Sequence, residues 1–295
     1  MSVEGAAVVS DALRAPRERI DGVLATFLRA MDEEVRAVEP QALPVLTETA
    51  RLIQAGGKRL RPAFCYWGFR AGGGTDGEPI VRASAALELL HTMALIHDDL
   101  MDGATERRGV PASAPSFAAI ARGGGSADAE GFGLSAAVLA GDLAAVLADR
   151  LFLESGFAAD VLVGALAPYH EMRVNMALGQ YLDVAGLGGD PDIARKAARL
   201  KGGAYSVGGP LQVGAALAEA GTACRAALRA YGDPLGEAFQ LRDDLQDGEA
   251  ASGITGATVD DLVRRARAAL SDAPIDGDAA GALDELASSL VAIDG

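Results

Sequence analysis

Two stretches of this sequence each contain three aspartates within five residues. Each stretch lies at the end of an apolar helical pattern. They read HDDLMDG and RDDLQDG, and they supply Asp98, Asp99, Asp102, Asp243, Asp244 and Asp247. Because an α-helix turns about 100° per residue, the first and last aspartates of each stretch share a face. Like charges placed together favour a neutralising cation. Mg²⁺ prefers oxygen ligands and typically bridges carboxylates to phosphates. The two stretches therefore predict a metal site.

A single copy of this pattern would be better explained as a solvated helix end. Carboxylates are disfavoured at a helix C-terminus, where the dipole is negative, and two copies on apolar helices favour metal binding. His91 lies on the same stripe as Asp98 and Asp102, about two turns before Asp98. A core histidine is the alternative, but the shared stripe favours a place in the site.

Basic residues flank the first acidic stretch on both sides. AGGKRLRPAF precedes it, with Lys58, Arg59 and Arg61, and DGATERRGVPA follows it, with Arg107 and Arg108. An ammonium and a bidentate guanidinium suit diphosphate binding in different ways. Either run alone could also be a solubilising loop.

Composition limits the class of protein. The 295 residues are 50% hydrophobic and 5% aromatic, with alanine and leucine prominent, which favours helices over strands. The net charge of -15 argues against a nucleic-acid partner. We expect a cytoplasmic protein, because no secretory signal is visible and charged residues interrupt the apolar runs. Cys65 and Cys224 have no metal or redox spacing and are expected to be core thiols.

Helical periodicity organises the chain, and no run alternates strictly enough to predict a strand. One helix is predicted from near Pro16 to before Pro40, and another from Pro79 to Gly103. Further patterns cover about 134–155, 157–187, 191–220, 223–231, 234–247 and 258–271. The glycine-rich runs 71–79 and 121–131 lack the strand and the Gly-Lys-Ser/Thr of a phosphate loop, so they are expected to be surface turns. The fold is predicted to be all-α, as one helical bundle.

The order of these motifs resembles the trans-polyprenyl diphosphate synthases. It runs GGKRLRP, ELLHxxxLIHDDLMDxxxxRRG, GQYLD and FQLRDDLQD, from about residue 20 to residue 248. RPAFCYWGFRAGGG and LSAAVLAGDLA are similar to the bacterial geranylgeranyl diphosphate synthases. The resemblance implies a single domain over 1–295, of isoprenoid-synthase type with a central cavity, and a homodimer. It also implies Mg²⁺-dependent condensation of an allylic diphosphate (dimethylallyl, geranyl or farnesyl) with isopentenyl diphosphate.

The resemblance also implies roles for individual residues. A cluster of Mg²⁺ ions, three in number, would be held on the allylic diphosphate by the six motif aspartates. Arg107 and Lys201 would contact that diphosphate. The residues implied for isopentenyl diphosphate are Lys58, Arg61, His91 and Arg108. Further polar positions of the cavity would be Gln180, Asp183 and Gln240.

The sequence departs from the family pattern after Asp247. The region after about 248 is short, no lysine follows Lys201, and Gly202 stands where the family often has Thr or Ser. One diphosphate contact and part of the cover over the metals are therefore missing. We expect a more open site and weaker catalysis, unless a partner subunit closes it.

Three functions remain in competition. A chain-elongating synthase is favoured, and a weakened partner subunit of a heteromeric synthase and a class I terpene cyclase are the alternatives. A cyclase uses one diphosphate substrate, so the cations implied for isopentenyl diphosphate (Lys58, Arg61, His91 and Arg108) argue against it. The six aspartates argue against a partner subunit. In this family the residues before the first acidic motif form the floor of the chain pocket. Here they are Met93 and Ala94, with Leu90 a turn deeper, which favours geranylgeranyl over farnesyl diphosphate.

Overall fold

The computed structural model describes residues 11–248, 250–271 and 273–292. The all-α class is confirmed, since the only strands in these ranges are β1 (Glu106–Arg107) and β2 (Val110–Pro111), a two-residue antiparallel pair. The helices are α1 (Asp11–Val38), α2 (Leu43–Gln54), α3 (Leu60–Ala71), α4 (Glu78–Asp102), α5 (Ser113–Gly123), α6 (Ala129–Leu153), α7 (Ala159–Val184), α8 (Pro191–Ala198), α9 (Gly209–Leu217), α10 (Thr222–Asp247), α11 (Gly256–Ala268) and α12 (Gly277–Ala292). Short 3₁₀ turns occupy Pro40–Ala42 and Leu187–Gly189, and a π-helical segment occupies Arg199–Gly208.

Both acidic motifs lie at the C-terminal ends of long helices. α4 ends at Asp102 and is followed by Gly103 with φ 62°, and α10 ends at Asp247 and is followed by Gly248 with φ 76°. Glycine adopts this left-handed backbone without strain and so ends each helix sharply. The prediction of a helix over Pro79–Gly103 is confirmed.

Two predicted boundaries are wrong. The patterns 223–231 and 234–247 form one continuous α10, with Pro234 inside it. Tyr231 before Pro234 and Leu235 after it are fully buried, so tertiary packing outweighs the lost backbone hydrogen bond. The pattern 191–220 is not one regular helix, because the π-helical segment separates α8 from α9.

The chain forms two compact units. The larger unit contains residues up to Glu18, Leu60–Ile80 and Phe157 onwards, and the smaller unit contains Arg19–Arg59 and Val81–Gly156. The core of the larger unit packs α3, α9, α10, α11 and α12 around Tyr231, whose hydroxyl donates to the Leu283 carbonyl at 2.6 Å. The smaller unit has its own apolar cluster, which includes Leu52, Ile96 and Phe117. The expectation of a single domain over 1–295 stays a prediction.

The chain beyond the second acidic motif folds directly against α10. Ile254 is buried in the core of the larger unit, and a capping box between Thr255 and Thr258 begins α11. α11 then packs along α10. The described part of this connection, residues 250–255, therefore belongs to the larger unit.

Two helices are long and apolar enough to cross a membrane by length and composition alone, α4 and α6. α4 is mostly buried inside the protein, as the core helix of a water-exposed domain also is. α6 leaves a larger share of its apolar residues exposed. A cytoplasmic location stays a prediction. Cys65 and Cys224 are buried and form no disulfide within the described residues, as expected of core thiols.

Candidate active site

The first acidic motif, at the end of α4 in the smaller unit, contacts Arg107, one of the residues predicted to bind diphosphate. Nε of Arg107 donates to Oδ1 of Asp99 at 2.7 Å, and Nη2 donates to Oδ2 of Asp98 at 3.3 Å. The Asp99 side chain is only 3% exposed, whereas Asp102 is exposed. Burial alone would lower the pKa of Arg107, but the hydrogen bond and charge of Asp99 outweigh it and raise that pKa. Arg107 is therefore a permanent cation beside two carboxylates.

The β1–β2 hairpin presents Arg107 and Arg108. Its turn has φ 56° at Arg108 and φ 75° at Gly109, the left-handed backbone that a tight hairpin requires. Arg108 donates a hydrogen bond to the Gly56 carbonyl. A Cβ at Gly57 would lie 3.1 Å from the guanidinium nitrogens of Arg108. The hairpin therefore rests against the loop that carries Lys58, whose side chain is exposed.

Arg59 anchors that loop, although no role in the site was predicted for it. Its guanidinium donates to Glu88 at 2.7 Å, to Asp21 at 2.8 Å and to the Ile53 carbonyl at 2.8 Å. Its own backbone is left-handed, with φ 54°. Burial would lower the pKa of Arg59, but the charges of Glu88 and Asp21 raise it overall. A buried ion cluster therefore fixes the backbone next to Lys58.

His91 and the proposed pocket floor lie further back on α4. His91, Met93 and Ala94 are partly exposed, whereas Leu90 is fully buried. Helical geometry places His91 on the face of Asp98 and Asp102, as predicted.

In the larger unit, polar contacts join two pairs of the predicted site residues. Lys201, on the π-helical segment, forms an ion pair with Asp183 of α7 at 2.6 Å. Gln240 donates to Oδ1 of Asp244 at 2.9 Å, within α10. Asp243 is partly exposed and Asp247 exposed. Gln180 lies on α7, three residues before Asp183. The predicted site residues are thus divided between the units, with Lys58, His91, Asp98, Asp99, Asp102, Arg107 and Arg108 in the smaller one.

Arg61, also in the larger unit, is held by two residues that sequence reasoning missed. Its Nη2 donates to Oγ of Ser206 at 2.6 Å, and its guanidinium carbon lies 4.7 Å from the centre of the Tyr205 ring. Ser206 in turn donates to the Lys201 carbonyl at 3.2 Å. No sequence motif signals these contacts, because they depend on the π-helical geometry of the segment.

Gly202 has a packing reason. A Cβ at Gly202 would lie 2.2 Å from the Gly236 carbonyl oxygen, and one at Gly236 would lie 2.3 Å from Cα of Gly203. The π-helical segment therefore approaches α10 too closely for the Thr or Ser that the family often has there.

The donor types fit a magnesium ion that also binds phosphate. Among the described residues, no group of three or more His, Cys, Asp or Glu side chains lies close enough to hold a metal. The buried Oδ2 of Asp99, however, accepts no hydrogen bond from any of the described residues. Mg²⁺ is typically bound by one or two carboxylates, with the remaining positions filled by water and substrate phosphates. The carboxylates of each motif fit that mode of binding.

Comparison with known proteins matches this arrangement to one family. The polyprenyl synthetase family model matches residues 44–270. The chain is 32% identical over 252 residues to the geranylgeranyl diphosphate synthase of Mycobacterium tuberculosis, covering 78% of this chain and 65% of that one. It is 29% identical over 256 residues to the nonaprenyl diphosphate synthase of the same organism, covering 85% and 67%.

The chain thus spans about two thirds of the length of these curated relatives. Among solved structures, the geranylgeranyl pyrophosphate synthase of Corynebacterium glutamicum, complexed with isoprenyl diphosphate and magnesium, has a TM-score of 0.88 and 25% identity. That match covers 97% of this chain and 100% of the other. The chain belongs to the polyprenyl synthetase family.

Proposed function

We propose that this chain is a Mg²⁺-dependent trans-prenyltransferase that condenses an allylic diphosphate (dimethylallyl, geranyl or farnesyl diphosphate) with isopentenyl diphosphate. The observation that carries the proposal is the partly buried contact of Arg107 with Asp98 and Asp99 at the end of α4. Paired carboxylates with a permanent cation beside them suit a metal-bound diphosphate, whose charge needs both kinds of partner.

The acidic motifs are the proposed metal ligands. Arg107 already lies against two of these carboxylates, so its guanidinium is beside the position of a diphosphate bound through the metal. Lys201, held by Asp183, is the second proposed contact to the allylic diphosphate. Gln180 and Gln240 are proposed polar residues of the same site. The proposed metal-binding residues are Asp98, Asp99, Asp102, Asp243, Asp244 and Asp247, and we propose that three Mg²⁺ ions bind.

Isopentenyl diphosphate is assigned to a second set of cations. Lys58 and Arg108 come from two loops that contact each other, and His91 comes from α4. Arg61 comes from α3. Arginine supplies bidentate donors and lysine a compact charge, which together suit the three terminal oxygens of a diphosphate.

These residues can support the reaction without a protein nucleophile. The C–O bond of the allylic diphosphate breaks and its electron pair leaves with diphosphate, whose growing charge Arg107 and Lys201 stabilise. Bound Mg²⁺ supplies further charge stabilisation as a Lewis acid. The isopentenyl double bond attacks the allylic cation to form the new C–C bond. The proton lost to the departing diphosphate restores a double bond.

We assign geranylgeranyl diphosphate as the product. Met93 and Ala94 are partly exposed on α4, one residue medium in size and the other small, with buried Leu90 below them. Such a floor leaves room for a chain of medium length. Farnesyl diphosphate is the alternative product.

The test is elongation by the purified chain. The protein is incubated with Mg²⁺, labelled isopentenyl diphosphate and each of the three allylic diphosphates, and the dephosphorylated products are identified by chain length. EDTA-sensitive elongation is expected, lost in Asp98→Asn and kept in Asp261→Asn, an aspartate on the exposed face of α11. No elongation by folded, metal-supplied protein would overturn the proposal in favour of a partner subunit. A hydrocarbon formed from geranylgeranyl diphosphate alone would favour a cyclase.

We also propose that the chain forms a homodimer through α6. Phe132, Val138, Leu139, Val146 and Leu153 are all exposed on this helix, at 45–62%. Several exposed apolar side chains on one side of a helix are unfavourable in water and are typical of an interface. Light scattering should give twice the chain mass for wild type and a lower mass for Leu139→Glu. A monomeric wild type at micromolar concentration would contradict the assignment.

A further inference from the structure

We propose that Tyr205 and Ser206 are positioning residues that hold Arg61 in the orientation needed to bind isopentenyl diphosphate. This inference rests on the proposed function, which assigns Arg61 to that substrate. Neither residue belongs to the acidic or basic motifs, and both lie on the π-helical segment Arg199–Gly208.

Tyr205 fixes the plane of the guanidinium. Its side chain is 3% exposed, so the ring is immobilised by packing. The guanidinium carbon of Arg61 lies 4.7 Å from the ring centre, within the range of a cation–π contact. A ring against one face of a planar guanidinium keeps the N–H donors of its edge in one plane, the orientation that suits diphosphate oxygens.

Ser206 fixes the other degree of freedom, rotation in that plane. Its buried hydroxyl accepts from Nη2 of Arg61 at 2.6 Å. The same hydroxyl donates to the Lys201 carbonyl at 3.2 Å, so its single proton is used and its lone pair faces Arg61. Arg61 is therefore held by an acceptor whose own orientation is set by the backbone.

The π-helical geometry makes this link possible. Ser206 and Lys201 are five residues apart, which is the i+5 spacing of a π-helix and not the i+4 spacing of an α-helix. The contact connects Arg61 to the backbone of Lys201, while the Lys201 side chain remains paired with Asp183 at 2.6 Å. Loss of Ser206 should therefore act on Arg61 and leave the Lys201 ammonium in place.

The expected effect is a selective loss of affinity for isopentenyl diphosphate. Ser206→Ala should raise the KM for isopentenyl diphosphate about 10-fold, since hydrogen bonds to charged groups are among the stronger ones. Tyr205→Leu should raise it by about 10- to 30-fold, because a desolvated cation–π contact is lost. The KM for the allylic diphosphate should stay within about two-fold, as Lys201 keeps its partner.

Conservative variants separate positioning from general packing. Ser206→Thr keeps the hydroxyl and Tyr205→Phe keeps the ring, so each should recover most of the affinity that Ala or Leu loses. Ser289→Ala on α12 is the matched control, because this partly buried serine likewise donates to a backbone carbonyl of its own helix, that of Glu285 at 2.9 Å. It should change neither KM.

Two measurements on the full chain keep this inference distinct from the proposed function. Calorimetric titration with isopentenyl diphosphate measures affinity without turnover, and the elongation assay measures turnover. Binding by wild type that is weakened in Ser206→Ala and Tyr205→Leu, at unchanged melting temperature, supports the inference even if no product forms. Equal losses for both substrates, no recovery with Thr or Phe, or no isopentenyl diphosphate binding by wild type would each overturn it.

Discussion

Replacing Arg59 with methionine should destabilise the protein by about 3–5 kcal/mol, because it leaves a buried carboxylate without its cation. Methionine fills a similar volume, so the change removes charge and hydrogen bonds more than packing. Both residues have a Cβ, so the left-handed backbone at this position, φ 54°, is equally unfavourable in both proteins. The difference in unfolding free energy therefore reports the ion cluster.

Glu88 accounts for most of this expected loss of stability. Its side chain is 3% exposed and its partner atom lies 2.7 Å from Arg59, whereas Asp21 is 40% exposed and can be solvated when Arg59 is lost. The Ile53 carbonyl also loses its donor, at 2.8 Å. An unpaired buried charge is the costliest of these three changes.

Urea unfolding followed by circular dichroism measures the effect, which corresponds to a fall in melting temperature of about 10 °C. Arg150→Met is the matched control, because Arg150 also pairs with two carboxylates, Glu34 and Glu154, but on the surface. That variant should lose much less stability, since exposed ion pairs contribute little. The double variant Arg59→Met with Glu88→Met should recover most of the loss, because no buried charge remains.

Equal losses in Arg59→Met and Arg150→Met would refute this reasoning. A double variant as unstable as Arg59→Met would also refute it, because the loss would then come from packing.

Three further changes have definite expected results. Gly202→Thr should restore the residue type common in the family yet lower stability by about 1–3 kcal/mol, since its Cβ would meet the Gly236 carbonyl, and thermal unfolding without a loss would contradict this. Met93→Ala should shift products towards longer chains, which chromatography of the dephosphorylated products would detect, and an unchanged product contradicts the floor assignment. Asp99→Asn should raise the Mg²⁺ concentration needed for half-maximal elongation, because Asp99 is a proposed metal ligand, and an unchanged Mg²⁺ titration would remove it from the proposed metal site.

Sequence periodicity was sufficient for the first acidic helix, α4, but not for α10, whose pattern was divided at Pro234. α4 could be predicted closely because an apolar run begins with proline and ends with glycine, and both signals act locally. The contact of Arg107 with Asp98 and Asp99 was not predicted, because it depends on the left-handed hairpin turn at Arg108 and Gly109. Arg59 likewise looked like one more loop cation, since its partners come from distant parts of the chain.

The departure at Gly202 and the unpredicted π-helical segment both concern the close contact of this segment with α10. Gly202 and Gly203 on the segment, and Gly236 on α10, lie so close that any Cβ there would meet backbone atoms. In a regular α-helix Ser206 would lie above Gly202, at the i+4 spacing. In the π-helical segment it bonds the Lys201 carbonyl and accepts from Arg61. Glycine at 202 therefore removes a hydroxyl from one position, and the same segment supplies a hydroxyl to Arg61 at another.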